Sequence, residues 1–326
     1  MKHPLRWLPI LAAAFCALSF RGLQADKVTL EPPLVTVAPT ARPPTIDGEV
    51  KTDEWKDAAA VTGFVGLTTG ELVGQQTVAF ITCDKANLYV GFKCLLPAGI
   101  KPVSAHGKRD DPLWDDDAVE VFLDVGHRHA DYFQFIGNSL GTKWDSRGRD
   151  ASWNAEWDYR ATVWPGHWDA EFRIPFASLG TTAPADGGRW GLNLARDGRT
   201  PTREISSWAF MDGSFHAPER FGLLVFRSAG PVARLLGLSA ARDGGLAMQA
   251  EGVDLALNVS ISAGKDVVWQ VSKALPRTAD KPEPVLHKVS KPGTYKLRLA
   301  AAPAQSKEPI AMSEATLQVK PPVEVT

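Results

Sequence analysis

Residues 110–124 have the sequence DDPLWDDDAVEVFLD, and this stretch is the clearest single indicator of the fold. From residue 118 onward, apolar side chains recur at a period of two, which is the pattern of a β-strand with one buried face. One face carries three aliphatic side chains, Val119, Val121 and Leu123. The other face carries Glu120 and Phe122. We therefore expect a strand over 118–124 that packs its aliphatic face into a core.

Short stretches of the same kind recur along the chain, separated by Gly, Pro, Asp and Asn. Residues 78–83 and 88–94 flank a polar loop and predict a hairpin. The other strands predicted in this part of the chain are 132–136, 161–164, 168–174, 190–194 and 221–226. One short helix is predicted over 52–60, where a threonine precedes acidic residues and three alanines. Many short strands joined by turns predict an all-β protein built as an antiparallel β-sandwich.

The composition changes near residues 227–231. Nine of the 11 tryptophans lie between Trp55 and Trp208. Beyond this break, apolar residues again alternate at a period of two. We interpret residues 45–227 as one domain and residues 231–326 as a smaller β-sandwich domain of immunoglobulin-like type.

The N-terminal 25 residues have the features of a secretory signal peptide. Lys2 and Arg6 precede an apolar run over 7–18, which is too short to span a bilayer. After this signal, over 1–25, a proline-rich leader follows over 26–44, which we expect to be extended and neither helix nor central strand. No later segment is long and apolar enough to cross a membrane. The sequence therefore predicts a secreted or periplasmic protein.

The overall charge is nearly balanced. The 326 residues include 36 Lys and Arg against 37 Asp and Glu, for a formal net charge of -1. Such a chain gives no electrostatic case for binding nucleic acid or an anionic membrane. No glycine-rich phosphate loop occurs either, so nucleotide chemistry has no anchor in the sequence.

Two cysteines lie beyond the signal, Cys83 and Cys94. In the predicted hairpin Cys83 lies opposite Leu88, which places Cys94 opposite Thr77 and about 20 Å from Cys83. A disulfide requires Cα atoms within about 7 Å. We therefore predict that the two cysteines do not bond to each other.

Trp114 and Glu120 are the first candidates for ligand contact. A planar ring beside a carboxylate suits sugar recognition, because the ring covers the C–H face of a pyranose and the carboxylate accepts hydroxyl hydrogen bonds. The alternative is that Trp114 packs a loop and the neighbouring aspartates are solvated. The residues themselves leave both interpretations open.

Residues 35–226 resemble the family 9 carbohydrate-binding modules and their wider relatives, which share a β-sandwich with DOMON domains. The resemblance is carried by an ordered set of short motifs. They include TIDGE at 45–49, EW at 54–55, WDDD at 114–117, VEVFLD at 119–124, YFQF at 132–135, WGLN at 190–193, SW at 207–208 and PERFG at 218–222. The resemblance implies a jelly-roll β-sandwich that binds mono- or oligosaccharides.

The resemblance also implies where the sugar sits. Trp114 and Trp208 match two tryptophans that hold a terminal sugar between them, and Glu120 matches an acid that binds hydroxyls. The remaining family positions, a basic residue and polar groups, correspond most closely to Lys143, Asn138 and Ser206. Trp144 adds ring surface or is a cross-strand packing residue. No cofactor is implied beyond a structural calcium ion in some members, for which the aspartates 115–117 offer ligands; a solvated loop is the alternative.

Three functions are compatible with these residues. The first is a non-catalytic carbohydrate-binding protein that acts with glycan-degrading enzymes. The second is a glycoside hydrolase, which needs two carboxyl groups across a sugar. The third is a haem-binding electron-transfer module, for which Met211 and His216 are the nearest axial ligands. A His-x-His-x-Asp run over 127–131 fits a zinc site or, as Gly126 favours, a turn.

Overall fold

The computed structural model describes residues 29–276, 284–306 and 308–321, and the predicted signal peptide lies outside them. The described chain is built almost entirely of strands. In chain order the strands of the first part are β1 (Leu34–Val37), β2 (Ala59–Val61), β3 (Val65–Gly66), β4 (Thr77–Cys83), β5 (Asn87–Leu95), β6 (Ala118–Asp124), β7 (Phe133–Asn138), β8 (Lys143–Arg147), β9 (Asp158–Trp164), β10 (His167–Pro175), β11 (Arg189–Gly198), β12 (Glu204–Ser207) and β13 (Gly222–Phe226). Short 3₁₀ helices occur at Leu113–Asp115, Phe176–Leu179 and Pro218–Arg220.

The second part of the chain adds further strands and no helix among its described residues. They are β14 (Arg234–Ala240), β15 (Gly245–Glu251), β16 (Leu255–Ala263), β17 (Asp266–Ala274), β18 (Val285–Lys288), β19 (Gly293–Pro303) and β20 (Ala311–Val319). The prediction of an all-β protein is therefore confirmed.

The strands form two sheets that face each other. Sheet A has the order β17-β16-β19-β20-β1-β13-β11-β6-β7-β8, with β12 beside β11 and β3 beside β12. Sheet B has the order β18-β15-β14-β2-β4-β5-β10-β9. Side chains of both sheets form the main core, which includes the predicted aliphatic face of β6. Arg196 of β11 ties the sheets together, since its guanidinium donates to the carbonyl oxygens of Gln75 and Leu95.

The two parts of the chain share both sheets. Strand β1 lies between β13, to which it is parallel, and β20, to which it is antiparallel. In sheet B, β14 of the second part pairs with β2 of the first. The second part nevertheless has its own apolar cluster, formed by β14 to β20. The immunoglobulin-like nature of residues 231–326 stays a prediction.

The expectation that residues 26–44 contain no central strand is wrong. Pro32 and Pro33 precede β1 and Pro39 follows it, so the four residues of β1 keep every backbone N–H. A segment without proline can pair on both edges, which a proline inside it would prevent. The prolines therefore limit the length of β1 and do not exclude it.

The hairpin of β4 and β5 has the predicted register. Cys83 pairs with Leu88 and Cys94 pairs with Thr77. Both thiols are free and buried. The prediction that they do not form a disulfide is confirmed.

The helix predicted over residues 52–60 is wrong. Residues 52–58 form turns, and Ala59 begins β2. The reason is tertiary: Trp55 is fully buried and its Nε1 donates to Glu171 Oε1 at 2.8 Å. Packing of this ring overrides the local helix propensity of the alanines. Among the described residues no helix is long and apolar enough to cross a membrane.

Candidate functional site

The candidate site lies on the face of sheet A that points away from the core, here called the outer face. Cross-strand pairing places Trp144 of β8 beside Ile136 of β7, and Ile136 beside Glu120 of β6. Glu120 in turn pairs with Ala195 of β11. Since neighbouring strands are about 4.8 Å apart, Trp144 and Glu120 are roughly 10 Å apart on one face. The prediction that Glu120 lies opposite the aliphatic face of β6 is confirmed.

Two apolar clusters cover the ends of this outer face. Leu113 packs with Ala118, Ile136 and Trp144 at one end. A second cluster covers the other end; it consists of Phe122, Tyr132, Ala195, Ala209, Met211 and Phe221. The polar side chains of Glu120, Gln134 and Asp197 lie between the two clusters and are buried.

Trp114 lies at the open end of the outer face, on the short 3₁₀ helix Leu113–Asp115. It is 43% exposed, and its ring meets the ring of Trp144 edge-to-face at a centroid distance of 5.6 Å. Trp144 is buried and therefore supports Trp114 from beneath. An exposed indole held by a buried one is a firm platform for the apolar face of a sugar.

The loop that carries Trp114 is fixed by two carboxylates. Asp116 Oδ1 accepts the backbone N–H of Ala105 at 2.8 Å, and Asp117 Oδ2 accepts that of Val103 at 2.6 Å. Asp117 Oδ1 also accepts the backbone N–H of Arg199 at 3.0 Å. The loop of Trp114 and the turn that follows β11 are thereby held together.

Glu120 is buried, so it does not face solvent directly. Gln134 Nε2 donates to Glu120 Oε2 at 2.6 Å, and Glu120 also shares a hydrogen bond with Asp197. Burial raises the pKa of both carboxyl groups, and at Asp197 the charge of Glu120 raises the pKa further. The pair therefore keeps a proton at pH values where exposed carboxyl groups have lost theirs.

Arg199 is the charged partner of this acid pair. Its Nη2 lies 4.0 Å from Asp197 Oδ1, and the guanidinium is partly exposed. Within the described chain, Arg199 Nε is buried and has no hydrogen-bond partner, and Asp197 Oδ2, also buried, has no partner outside the carboxyl pair. Buried polar atoms are normally paired, so the Arg199 donor lacks a contact that a water or a ligand hydroxyl can supply.

Sequence reasoning missed Gln134, Asp197 and Arg199. Alternation along β11 places Asn193, Ala195 and Asp197 on the outer face, and this pattern is visible in the sequence. The pairing of Asp197 with the start of β6 is not visible, because it joins residues about 80 positions apart. Prediction of these site residues therefore requires the cross-strand register of the folded protein.

Trp208 does not face Trp114, and the prediction that a sugar lies between these two rings disagrees with the structure. Trp208 is 1% exposed and belongs to the main core. Its Nε1 donates to Ser313 Oγ of β20 at 3.0 Å. Because Ser207 pairs with Ala195 on the outer face, the neighbouring residues Ser206 and Trp208 point to the other side of the sheet. Ser206 is also buried on that side and does not belong to the outer-face site.

Asn138 and Lys143 are also occupied elsewhere. Asn138 Nδ2 donates to Asp116 Oδ2 and to the carbonyl of His106, while its Oδ1 accepts two backbone N–H groups. All four hydrogen bonds of this amide are used within the protein. Lys143 Nζ donates to the carbonyl oxygen of Trp157 on the side of β8 opposite to Trp144. Neither residue contributes to the outer face as a free polar group.

The described residues do not fit a metal site. No group of three or more His, Cys, Asp and Glu in the described ranges is arranged to hold a metal ion. In the aspartate run, Asp116 and Asp117 use their oxygens to accept N–H groups of the loop. His127 and His129 both have left-handed backbone conformations, as expected if residues 127–131 form a turn and not a zinc site. The nearest haem ligands of the third hypothesis are also engaged: Met211 is buried in the apolar cluster and His216 Nδ1 lies 2.6 Å from Tyr132 Oη.

Comparison with known proteins identifies the family. Residues 46–229 match the family model described as carbohydrate family 9 binding domain-like. The chain belongs to this family. We call residues 46–229 the family 9 domain; it contains β2 to β13 and the whole outer-face site.

Solved structures similar to part of this chain include proteins from Caldicellulosiruptor kristjanssonii and Bacteroides uniformis. A family 9 module from Caldicellulosiruptor kristjanssonii in complex with cellotriose is 18% identical, with a TM-score of 0.47, over 60% of this chain and 94% of that chain. The same organism's module in complex with glucose is 17% identical, with a TM-score of 0.46, over 60% and 96%. A candidate carbohydrate-binding protein from Bacteroides uniformis is 18% identical, with a TM-score of 0.46, over 60% and 97%. No curated protein matches the chain.

Proposed function

We propose that the protein is an exported, non-catalytic carbohydrate-binding protein whose site is the outer face beside Trp114. The observation that carries this proposal is an exposed indole, supported by a buried one, at the end of a sheet face that also carries the Asp197 carboxyl group and the unpartnered Arg199 Nε. Trp114 offers its ring, and Asp117 holds the Trp114 loop against Arg199. Arg199 and Asp197 offer a donor and an acceptor.

The chemistry of a sugar matches these groups. A pyranose presents an apolar C–H face that an indole can cover. A hydroxyl both donates and accepts a hydrogen bond, so sugar hydroxyls can accept from Arg199 and donate to Asp197. Glu120 acts from beneath as a positioning residue, because it holds the carboxyl group of Asp197.

The acid pair is a poor arrangement for hydrolysis. Glycosidases place two carboxyl groups about 5 Å or more apart, on either side of the bond that is cleaved. Glu120 and Asp197 instead share a hydrogen bond. Export and an association with glycan-degrading enzymes rest on the signal-peptide features and on the family.

The test is calorimetric titration of the full chain with glucose, cellotriose and a panel of plant and bacterial oligosaccharides. We expect binding of at least one sugar, about tenfold weaker in Arg199→Gln, which removes the guanidinium and its charge. Arg242→Gln, which changes an exposed arginine far from the site, is the matched control. Absence of binding across the panel, or equal affinity in Arg199→Gln and wild type, contradicts the site. Release of reducing sugar indicates hydrolysis, and a Soret band indicates haem.

A further inference from the structure

A second aromatic surface lies on the other side of the molecule, on the face of sheet B that points away from the core. Trp164 and His167 end the β9–β10 hairpin and pair across it. Their rings are nearly parallel, with an angle of 19° and a centroid distance of 6.4 Å. Trp164 is 37% exposed, and β9 is an edge strand of sheet B. His167 also pairs with Leu95 of β5, which is exposed as well.

A polar row lies beside the row of Trp164, His167 and Leu95, at the next position along the same face of the three strands. It contains Thr162, Asp169 and Lys93, which pair across β9, β10 and β5. Asp169 is 3% exposed, and its carboxylate lies 3.0 and 3.1 Å from Lys93 Nζ and 3.6 Å from His167 Nε2. The buried carboxylate thus fixes two side chains that remain partly exposed.

The dimensions and chemistry of these two rows fit a short oligosaccharide. Trp164, His167 and Leu95 lie on three adjacent strands and form a row about 10 Å wide, of which the first two are rings. The indole covers the apolar face of a sugar ring, the imidazole of His167 extends the ring surface, and Lys93 is a donor for hydroxyls. Burial, and then the charge of Lys93, lower the pKa of His167.

We propose that Trp164, His167 and Lys93 form a second carbohydrate-binding site, for neutral oligosaccharides, on the side of the sandwich opposite to Trp114. The proposal shares its ligand class with the proposed function but uses none of the outer-face residues of sheet A. Two sites on opposite sides of the sandwich allow the protein to contact two glycan chains at once, which raises the apparent affinity for a polymer. The alternative is that the Trp164–His167 ring pair only stabilises the hairpin turn, in which case it does not contact sugar.

The test follows the two tryptophans separately by nuclear magnetic resonance. The ¹⁵N-labelled full chain is titrated with five probes: cellohexaose, xylohexaose, laminarihexaose, mannohexaose and chitohexaose. The indole N–H signals of Trp114 and Trp164 are assigned with the variants Trp114→Phe and Trp164→Phe. We expect the Trp164 signal to shift with at least one probe, and to do so also in Trp114→Ala.

The outcomes separate this proposal from the proposed function. Movement of the Trp114 signal alone overturns the second site and leaves the first. Movement of the Trp164 signal alone supports the second site and contradicts the first. Movement of neither signal with any of the five probes overturns both.

Variants then measure how much Trp164 and His167 contribute to the affinity for sugar. In the Trp114→Ala background, Trp164→Ala and His167→Ala should each weaken the residual affinity about tenfold. Val163→Ala is the matched control, because Val163 is exposed on the same hairpin but belongs to the other face of β9. Unchanged affinity in folded His167→Ala and Trp164→Ala contradicts the site.

Discussion

Replacement of Trp208 is the sharpest test of the revised position of this ring. The indole is buried between the sheets and connects the family 9 domain to β20 of the second part through Ser313. Ser313 Oγ in turn donates to the carbonyl oxygen of Thr62 at 2.9 Å. Trp208→Ala therefore removes a large core side chain and one end of a buried hydrogen-bond chain.

The expected cost follows from these contacts. Truncation of a core tryptophan to alanine costs about 3–5 kcal/mol of unfolding free energy. At roughly 2–4 °C per kcal/mol for a chain of this size, the melting temperature should fall by about 6–20 °C. Trp208→Phe keeps most of the packing and loses the hydrogen bond, which should cost about 1–2 kcal/mol. The exposed ring is the comparison, and Trp114→Ala should cost about 1 kcal/mol, for its edge contact with Trp144.

The assay is urea unfolding followed by far-ultraviolet circular dichroism, which does not depend on tryptophan emission. Because the two parts share both sheets, we expect one transition for the family 9 domain and the second part together. If Trp208→Ala costs less than 1 kcal/mol, or less than Trp114→Ala, the core position of Trp208 is refuted. If the alanine variant does not fold, the unfolding free energy of Trp208→Phe is compared with the expected loss of about 1–2 kcal/mol.

Two further predictions concern titratable groups in the core and beneath the loop of residues 45–50. Burial raises the pKa of Cys83 to about 11 and that of Cys94 to about 12, so neither thiol should react with iodoacetamide at pH 7.5 in the native protein. In urea both should react without prior reductant, and a requirement for reductant would reveal a disulfide. Burial also raises the pKa of Glu171 to about 7 from its ordinary 4.5. Folding therefore takes up a proton at Glu171, and the resulting stability is complete below about pH 4.5 and is lost as the pH rises through about 7. Glu171→Gln should reduce the fall in unfolding free energy between pH 5 and pH 8, measured by urea unfolding, and an equal fall in variant and wild type contradicts the raised pKa.

Local patterns predicted the parts of the fold that depend on neighbours in sequence. The hairpin of β4 and β5 is joined by a short loop, so its register follows from the turn, and the position of both cysteines follows from the register. The buried face of β6 follows from its alternation alone. Strand β1 was missed because its partners β13 and β20 lie roughly 190 and 280 residues away. Residues 52–58 form no helix because the burial of one tryptophan, Trp55, outweighs local propensity.

The candidate site divides in the same way. The position of Trp114 in an exposed loop was predicted, since it follows Pro112 and precedes three aspartates. The side of the sheet to which Trp208 points was not predicted, because β12 has only four residues and no apolar alternation that would indicate its buried face. Arg199 was missed because its role comes from Asp197, and the contact of Asp197 with Glu120 depends on the pairing of β11 with β6.

The central claim is that Trp114 binds sugar on the outer face of sheet A. The most direct measurement is the affinity of Trp114→Ala for the best ligand of the panel, by calorimetric titration, with its melting temperature recorded beside it. Leu140→Ala, which truncates another exposed side chain at the β7–β8 turn, is the control. The account predicts at least about a tenfold loss of affinity in Trp114→Ala, a change in melting temperature of a few degrees at most, and no loss in Leu140→Ala. A folded Trp114→Ala protein that binds this ligand as tightly as the wild type contradicts it.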